Sequence, residues 1–428
     1  MLTAKSSPFE TLAGGRRHVR SLRPVITIDE LLDEARGFLD AHLERRTASE
    51  AKFVWGEGSD RVNILEETEA SELSTTLAAA KRYAALRYDA GFGWVDGPVE
   101  YGGRGLTLEH ARAYHELEAD YELPDLSILT IAIGFIGPAL LACATADLRA
   151  EYLPRLYRGE LVMCQLFSEP NAGSDLASAR TRAVRDGDEW VITGQKVWTS
   201  SAHVADVALA VCRTDPDVPK HQGLTTFLVD MHAPGVEVRP LRQMTGSANF
   251  NEVFLTDVRV PDSHRVGELH KGFGVILTTL GNERTIATRA PSSGRGIGPF
   301  ERLLGVVDTF GDRRDPMLRQ RLAQLFIADR VKELLVDRWR AALEPGTTPG
   351  PEMSILKLHN CRTNIELVHL LTEVLGPRLA ADTGEWGSFA WGEYVLSTPG
   401  ARIGGGTEEI VRNTVGEKVL GLPKEPRV

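Results

Sequence analysis

The stretch that decides the fold is RAVRDGDEWVITGQKVWTS, Arg182–Ser200. Apolar, β-branched and aromatic residues alternate with polar ones on either side of Asp186-Gly187, so it reads as two strands joined by a two-residue hairpin turn. The same period of two runs outward through CQLF before it and through VADVALAVC, GLTTFLVD, GVEVRPL and NEVFLTDVRV after it, closing at Pro261. A β domain is expected over residues 161–266.

Beyond both edges the period becomes helical. Ile28–Arg46 with Thr27 as N-cap, Ala70–Tyr88, Leu108–Tyr121, Leu126–Ala146 and Leu148–Leu156 predict an all-helical domain over 27–160. Gly272–Thr285, Leu318–Leu343 and further helices to about Leu420 predict a second helical domain over 267–428. Leu318, Leu322, Leu325, Val331, Leu335 and Trp339 fall on one broad face. GPVEYGGRG, Gly97–Gly105, has no strand before it and reads as a plain loop rather than a phosphate cradle; Glu344–Glu352 is a second loop. GRGIGP at Gly294 follows helical sequence and carries no dinucleotide signal.

A chain of 428 residues has room for roughly three domains. Hydrophobic residues make up 42% and charged residues 25%, which excludes disordered and multi-span membrane classes. Leu126–Ala146, LSILTIAIGFIGPALLACATA, is long and charge-free enough to cross a bilayer, but Gly134, Gly137 and Pro138 interrupt it. A buried helix pair is expected instead. The net charge of −10 disfavours nucleic-acid binding. Cys143, Cys164, Cys212 and Cys361 form no CxxC pair, so neither zinc nor a disulfide framework is expected, and a cytoplasmic, reducing setting fits. The N-terminal residues contain no apolar signal core. Arg16, Arg17, Arg20 and Arg23 weakly suggest a transit segment, and a frayed terminus is the simpler reading.

Four segments could carry chemistry. CQLFSEPNAGSDLAS, Cys164–Ser178, is a strand that ends in Ser168 and turns through Pro170, offering N–H groups and hydroxyls to a phosphate or polar cofactor edge. The alternative is an ordinary strand exit with local turn bonds. GQKVWTSSAH, Gly194–His203, sets Trp198 beside Thr199, Ser200 and Ser201, as suits a flat heterocycle, or else plain core. His203 has no metal-ligand partner at useful spacing. GARIGGGTEEIVRN, Gly400–Asn413, runs three glycines into Thr407 as a helix N-cap, with Glu408 and Glu409 in the first turn. TTLGNERTIATR, Thr278–Arg289, carries Glu283-Arg284 in an apolar helical stretch, either as a solvated pair or as a buried acid–base group.

Together with PVEYGGRG and NEVFLTDVRVP followed by GELHKGF, these segments, in this order, resemble the acyl-CoA dehydrogenase family from about residue 30 to Pro423. The resemblance implies a multidomain α and β fold: a helical N-terminal domain, a middle β-barrel-like domain and a C-terminal four-helix bundle. It implies FAD as cofactor and formation of an α,β-double bond in an acyl-CoA thioester, by α-proton abstraction and hydride transfer to flavin N5. An electron-transfer flavoprotein is the implied acceptor. Cofactor contacts carry over to Gln165, Phe167, Ser168, Gly173, Ser174, Trp198, Thr199, Ser200, Thr407 and Glu409. Substrate contacts carry over to Ser174, Gly405, Glu283 and Arg284. No metal is implied.

Three departures qualify the match. Gly405 stands where many members carry the base glutamate. One branch of the family places that glutamate on a C-terminal-domain helix just before an arginine, which makes Glu283 the catalytic base and Arg284 its support. VDTFGDRRDPMLRQRLAQL, Val307–Leu325, lacks the arginine segment that reaches the neighbouring subunit's FAD. Glu373, in TEVLGPR, replaces a neutral amide near that FAD, where a carboxylate is unfavourable. These features look most like a bacterial subgroup acting on steroid side-chain and other bulky thioesters, often as α2β2 pairs of related chains; a homodimer or homotetramer is the other arrangement. The alternative functions are a non-catalytic or flavin-sharing subunit, or an oxygen-using flavoenzyme on the same fold.

Overall fold

The computed structural model describes residues 26–46, 54–57, 60, 62, 73–289, 299–342 and 350–424, with the side chains of 283–289, 299, 340 and 342 outside that description. The arginines of the transit-like segment, the start of the second expected helix at Ala70, and most of GRGIGP and of the Glu344–Glu352 loop lie outside the described residues.

The chain opens with α1 (Ile28–His42), where Thr27 and Glu30 form a reciprocal capping box and Leu31, Ala35 and Leu39 make the buried stripe. Its end comes earlier than Arg46. Leu43 is already extended, Arg46 N–H donates to Asp120 O at 2.8 Å, and Arg45 bridges to Tyr121. Then come α2 (Leu73–Asp89) and α3 (Leu108–Glu118), the latter stopping three residues before the expected Tyr121. The Gly97–Gly105 loop is packed: the Tyr88 hydroxyl occupies the place a Cβ on Gly102 would need.

The charge-free run breaks into a 3₁₀ turn at Ser127–Leu129, a π-helix at Ile131–Ile136 and α4 (Gly137–Cys143), followed by α5 (Ala146–Tyr157). Gly137 N–H returns five residues to Ala132 O, just before Pro138, which has no N–H to give. Ala132, Ile136, Ala139 and Leu140 are fully buried against protein. Among the described residues no helix is long and apolar enough to cross a membrane.

Eight strands form one sheet in the order β6-β7-β3-β2-β4-β5-β8, with β1 pairing β4 off this path. They are β1 (Met163–Leu166), β2 (Arg182–Asp186), β3 (Glu189–Ser200), β4 (Val207–Arg213), β5 (Leu224–Asp230), β6 (Val236–Leu241), β7 (Phe250–Pro261) and β8 (Arg265–Val266). The hairpin turn is Gly187-Asp188, one residue later than expected, because Asp186 pairs with Glu189 and Gly187 takes φ +63°. β4 and β5 are buried on both faces. Leu209, Val211 and Leu228 join a core with Leu140, Leu153 and Leu156 of α4 and α5, while Ala208, Ala210 and Phe227 join one with Trp190, Ile192 and Val253 across the sheet.

The C-terminal part holds α6 (Gly272–Arg289), α7 (Pro299–Phe310), α8 (Pro316–Ala342), α9 (Ser354–Leu375), α10 (Ala390–Ile403) and α11 (Glu408–Thr414). α9 is central and packs against α7, α8, α10 and α11. Leu318, Leu322 and Leu325 of α8 are buried as expected. Val331 is not: it is 39% exposed, beside Ile327 at 59% and Leu334 at 53%.

Candidate active site

The β3–β7 ladder shifts register between Ile192 and Gly194, runs on to Lys196↔Val253, breaks again, and resumes at Thr199↔Asn251. Val197 and Trp198 thus oppose one residue, a β-bulge. Val197 N–H turns away from β7 to the Ser168 carbonyl at 2.9 Å, joining β3 to the end of β1. Trp198 takes φ +59°, a left-handed conformation unfavourable for a bulky L-residue, and its indole is 61% exposed, edge-on to Phe250 at 6.1 Å. The bulge therefore brings together Phe167, Ser168, Trp198, Thr199 and Ser200.

Two residues that sequence reasoning missed hold this junction. Lys196 is fully buried, with Nζ 2.8 Å from Glu169 Oε1 and 3.1 Å from the Phe167 carbonyl. Glu169 also accepts from Arg180 N–H at 2.6 Å and Thr181 N–H at 2.9 Å. Burial opposes ionisation of Glu169, yet the Lys196 ammonium and these N–H donors keep its carboxyl below the usual range. The available signal was a lysine in a strand whose neighbours Val197 and Ile192 face the core.

The polar inventory fits a flat heterocycle with a hydrogen-bonding edge. Gln165 Nε2 and Thr199 Oγ1 are buried without a partner among the described residues, and Ser168 and Ser200 are half-buried residues. Asn251 Nδ2 fixes the strand by donating to Thr199 O at 3.0 Å and meets His203 Nδ1 at 3.2 Å, which gives His203 a structural partner. Gly173 and Ser174 lie exposed on the loop after Glu169, where Asp175 accepts from Lys220 at 2.7 Å.

The glycine turn at Gly404–Gly406 is held to α9 by Lys357 Nζ, which donates to Ala401 O and Gly404 O at 2.6 Å. Gly405 takes φ +67° and Gly406 φ +93°, conformations that favour glycine. Thr407 caps α11 by accepting from Ile410 N–H at 3.3 Å; Glu409 is exposed, whereas Glu408 is buried and paired with Arg402 and Arg412. The cap ties Thr407 to its own helix, and Glu409 sits in the first turn of that helix, so both belong to the helical part rather than to the bulge.

Glu283 and Arg284 lie on α6, but their side chains are outside the described residues. The preceding residue is informative: Asn282 Nδ2 donates to Phe135 O at 3.2 Å, docking this turn of α6 on the π-helix. Glu373, on α9, is paired with Arg321 of α8, so its charge is answered within the chain. In the Val307–Leu325 segment, Asp308 is ion-paired to Arg313.

The layout of helical, β and helical parts, with a strained exposed indole at the strand break, defines a class. Family models describe an acyl-CoA dehydrogenase N-terminal domain over residues 60–160, a middle domain over 164–258 and a C-terminal domain over 270–420. The chain belongs to the acyl-CoA dehydrogenase family and is an oxidoreductase of that kind. It is 41% identical over 355 residues to acyl-CoA dehydrogenase FadE34 of Mycobacterium tuberculosis, a match covering 81% of this chain and 47% of that protein, so it spans about half of FadE34. It is 37% identical over 344 residues to acyl-CoA dehydrogenase IpdE1 of the same organism, covering 78% of this chain and 85% of that one. Among solved structures, the Tcur3481-Tcur3483 steroid ACAD superposes with a TM-score of 0.70 at 26% identity, over 93% of this chain and 98% of that one.

Proposed function

We propose that the chain is an FAD-dependent dehydrogenase of bulky acyl-CoA thioesters, with Glu283 as the base for the α proton. The observation that carries this reading is the Val197-Trp198 bulge, which presents an indole beside Ser168, Thr199 and Ser200 in a chain of this family. Gln165, Phe167, Ser168, Gly173, Ser174, Trp198, Thr199, Ser200, Thr407 and Glu409 would hold the cofactor. When bound, FAD supplies the acceptor for the hydride from the β carbon.

The remaining work belongs to the protein. Glu283 takes the α proton, and Arg284 orients its carboxylate. Ser174 and the Gly405 backbone N–H bind the thioester, the latter stabilising developing charge on its oxygen. The missing Cβ of Gly405 leaves room for a carboxylate arriving from α6. The domain division at 160 and 266 belongs to this reading, as does a cytoplasmic setting, supported by four free cysteines.

The steroid ACAD likeness supports a bulky substrate and pairing with a related chain as α2β2; a homodimer or homotetramer is the other assembly. The exposed Ile327, Val331 and Leu334 on α8 support an assembly of some kind. Electrons would leave to an electron-transfer flavoprotein. FadE34 and IpdE1 are both named dehydrogenases, which favours neither a non-catalytic subunit nor an oxygen-using flavoenzyme.

The test is anaerobic. Protein loaded with FAD is titrated with short, branched and steroidal acyl-CoA thioesters while the flavin absorbance is followed. Bleaching by one class, with Glu283→Gln retaining flavin but bleaching about 1,000-fold more slowly, supports the reading. Bleaching by the variant at the normal rate retires Glu283 as base.

A further inference from the structure

We infer that Lys196 and Glu169 form a positioning pair that aims the cofactor-facing backbone on both strands, an inference that rests on the function proposed above. Neither side chain needs to touch a ligand. Lys196 immediately precedes the bulge, and its buried ammonium binds the carbonyl of Phe167 and the carboxylate of Glu169, the two residues flanking Ser168. One cation therefore fixes the end of β1 from both sides of that serine. From β3, Val197 N–H completes the junction by donating to Ser168 O at 2.9 Å.

Glu169 extends the clasp to the loop. Its Oε2 accepts from Arg180 N–H and its Oε1 from Thr181 N–H, so a single carboxylate ties residue 169 to residues 180 and 181. Reciprocal backbone bonds between Glu169 and Ala172 at 3.0 Å close the first turn inside it. Between those ties lie Asn171, Gly173, Ser174 and Asp175. The loop that is to meet the cofactor and thioester is thus closed at its base by side-chain chemistry, since this stretch lies outside the strand ladder.

A buried ion pair is a poor device for stability alone, because desolvation offsets most of the attraction; fixing one arrangement of several backbone groups is a use it serves better. Gly194 limits adjustment here: a Cβ on it would fall 2.7 Å from the Thr181 Cα, so β3 and the loop's far end pack without slack.

The experiment compares the full chain with Lys196→Met and Glu169→Gln by residue-resolved hydrogen exchange without flavin, then by FAD titration. The expected result is exchange about 100-fold faster at the Arg180 and Thr181 amides, with Val211 and Thr226 of the β4–β5 ladder unchanged, and FAD affinity about 10-fold weaker. Should Lys196→Met fail to fold, Glu169→Gln, which keeps its shape and one acceptor oxygen, decides. Unchanged exchange at Arg180 and Thr181 overturns the clasp, and faster exchange with undiminished FAD affinity overturns its positioning role. If the wild-type chain takes up no FAD, the proposed function fails, while the exchange data still decide whether the clasp holds the loop.

Discussion

Asn282 on α6 donates its side-chain amide to the carbonyl of Phe135 on the π-helix, 3.2 Å away. The bond docks the turn just before Glu283 on the helices of the N-terminal part. Asn282→Leu is expected to leave FAD binding intact and to slow thioester bleaching about 10-fold, because small misplacements of a reacting group are costly. Equal rates in stopped-flow bleaching of the two proteins would show that this contact does not position the proposed base.

Trp198 combines positive φ with an exposed ring, so its identity contributes little to the fold. Trp198→Gly relieves backbone strain of about 1 kcal/mol and should leave urea stability of the flavin-free chain equal or higher. Flavin uptake should fall. A strongly destabilised variant would make the indole a core residue instead.

Glu118 is buried in the N-terminal helices and accepts from Tyr83 at 2.7 Å, Tyr114 at 3.0 Å and Arg87 at 3.2 Å. Arg87→Met strands that carboxylate and should cost about 3–5 kcal/mol in urea unfolding. Adding Glu118→Gln should recover part of the loss, and a strictly additive double mutant would deny the coupling.

The same group predicts an acid transition. Burial raises the Glu118 carboxyl, but Arg87, His115 and Tyr83 outweigh it and hold it well below the ordinary value. A depressed native pKa contributes stability fully above the unfolded value of about 4.3 and loses it as pH falls through that value toward the native one. The melting-temperature advantage of wild type over Glu118→Gln should be constant from pH 7 to 6 and shrink between pH 5 and 3. An advantage that persists undiminished at pH 3 contradicts the assignment.

Ile327 and Leu334 project from α8 with more than half their surface exposed. Ile327→Glu with Leu334→Glu should lower the mass found by sedimentation without unfolding the chain. An unchanged mass would place the assembly surface elsewhere.

The strands were legible because one-sided burial imposes a period of two, as in Trp190 and Ile192; β4 and β5, read with the same period, depart from it because both their faces are covered. Helix ends were less so: α1 stops at His42 because Arg45 and Arg46 bond to Tyr121 and Asp120, partners about 75 residues away that local propensity cannot register. Val331 followed the helical period of α8 yet is exposed, since period alone does not say which turns another helix covers. At the site, residue types were readable, but the left-handed Trp198 and the buried Lys196 depend on the sheet around them. Glu373 looked like an unanswered charge only because Arg321 is distant in sequence.

The pairing of β3 sets an order of events during synthesis. Its β2 side is available at once through the Gly187-Asp188 turn, but its other side waits for β7, so Trp190 meets Val260 only after 70 further residues have emerged. Until then the strand that carries Trp198 has an open edge and an unformed bulge. A nascent chain released before Pro261 should be a β-edge aggregator rather than a smaller folded domain, and the surface around Trp198 should be among the last features of the sheet to form.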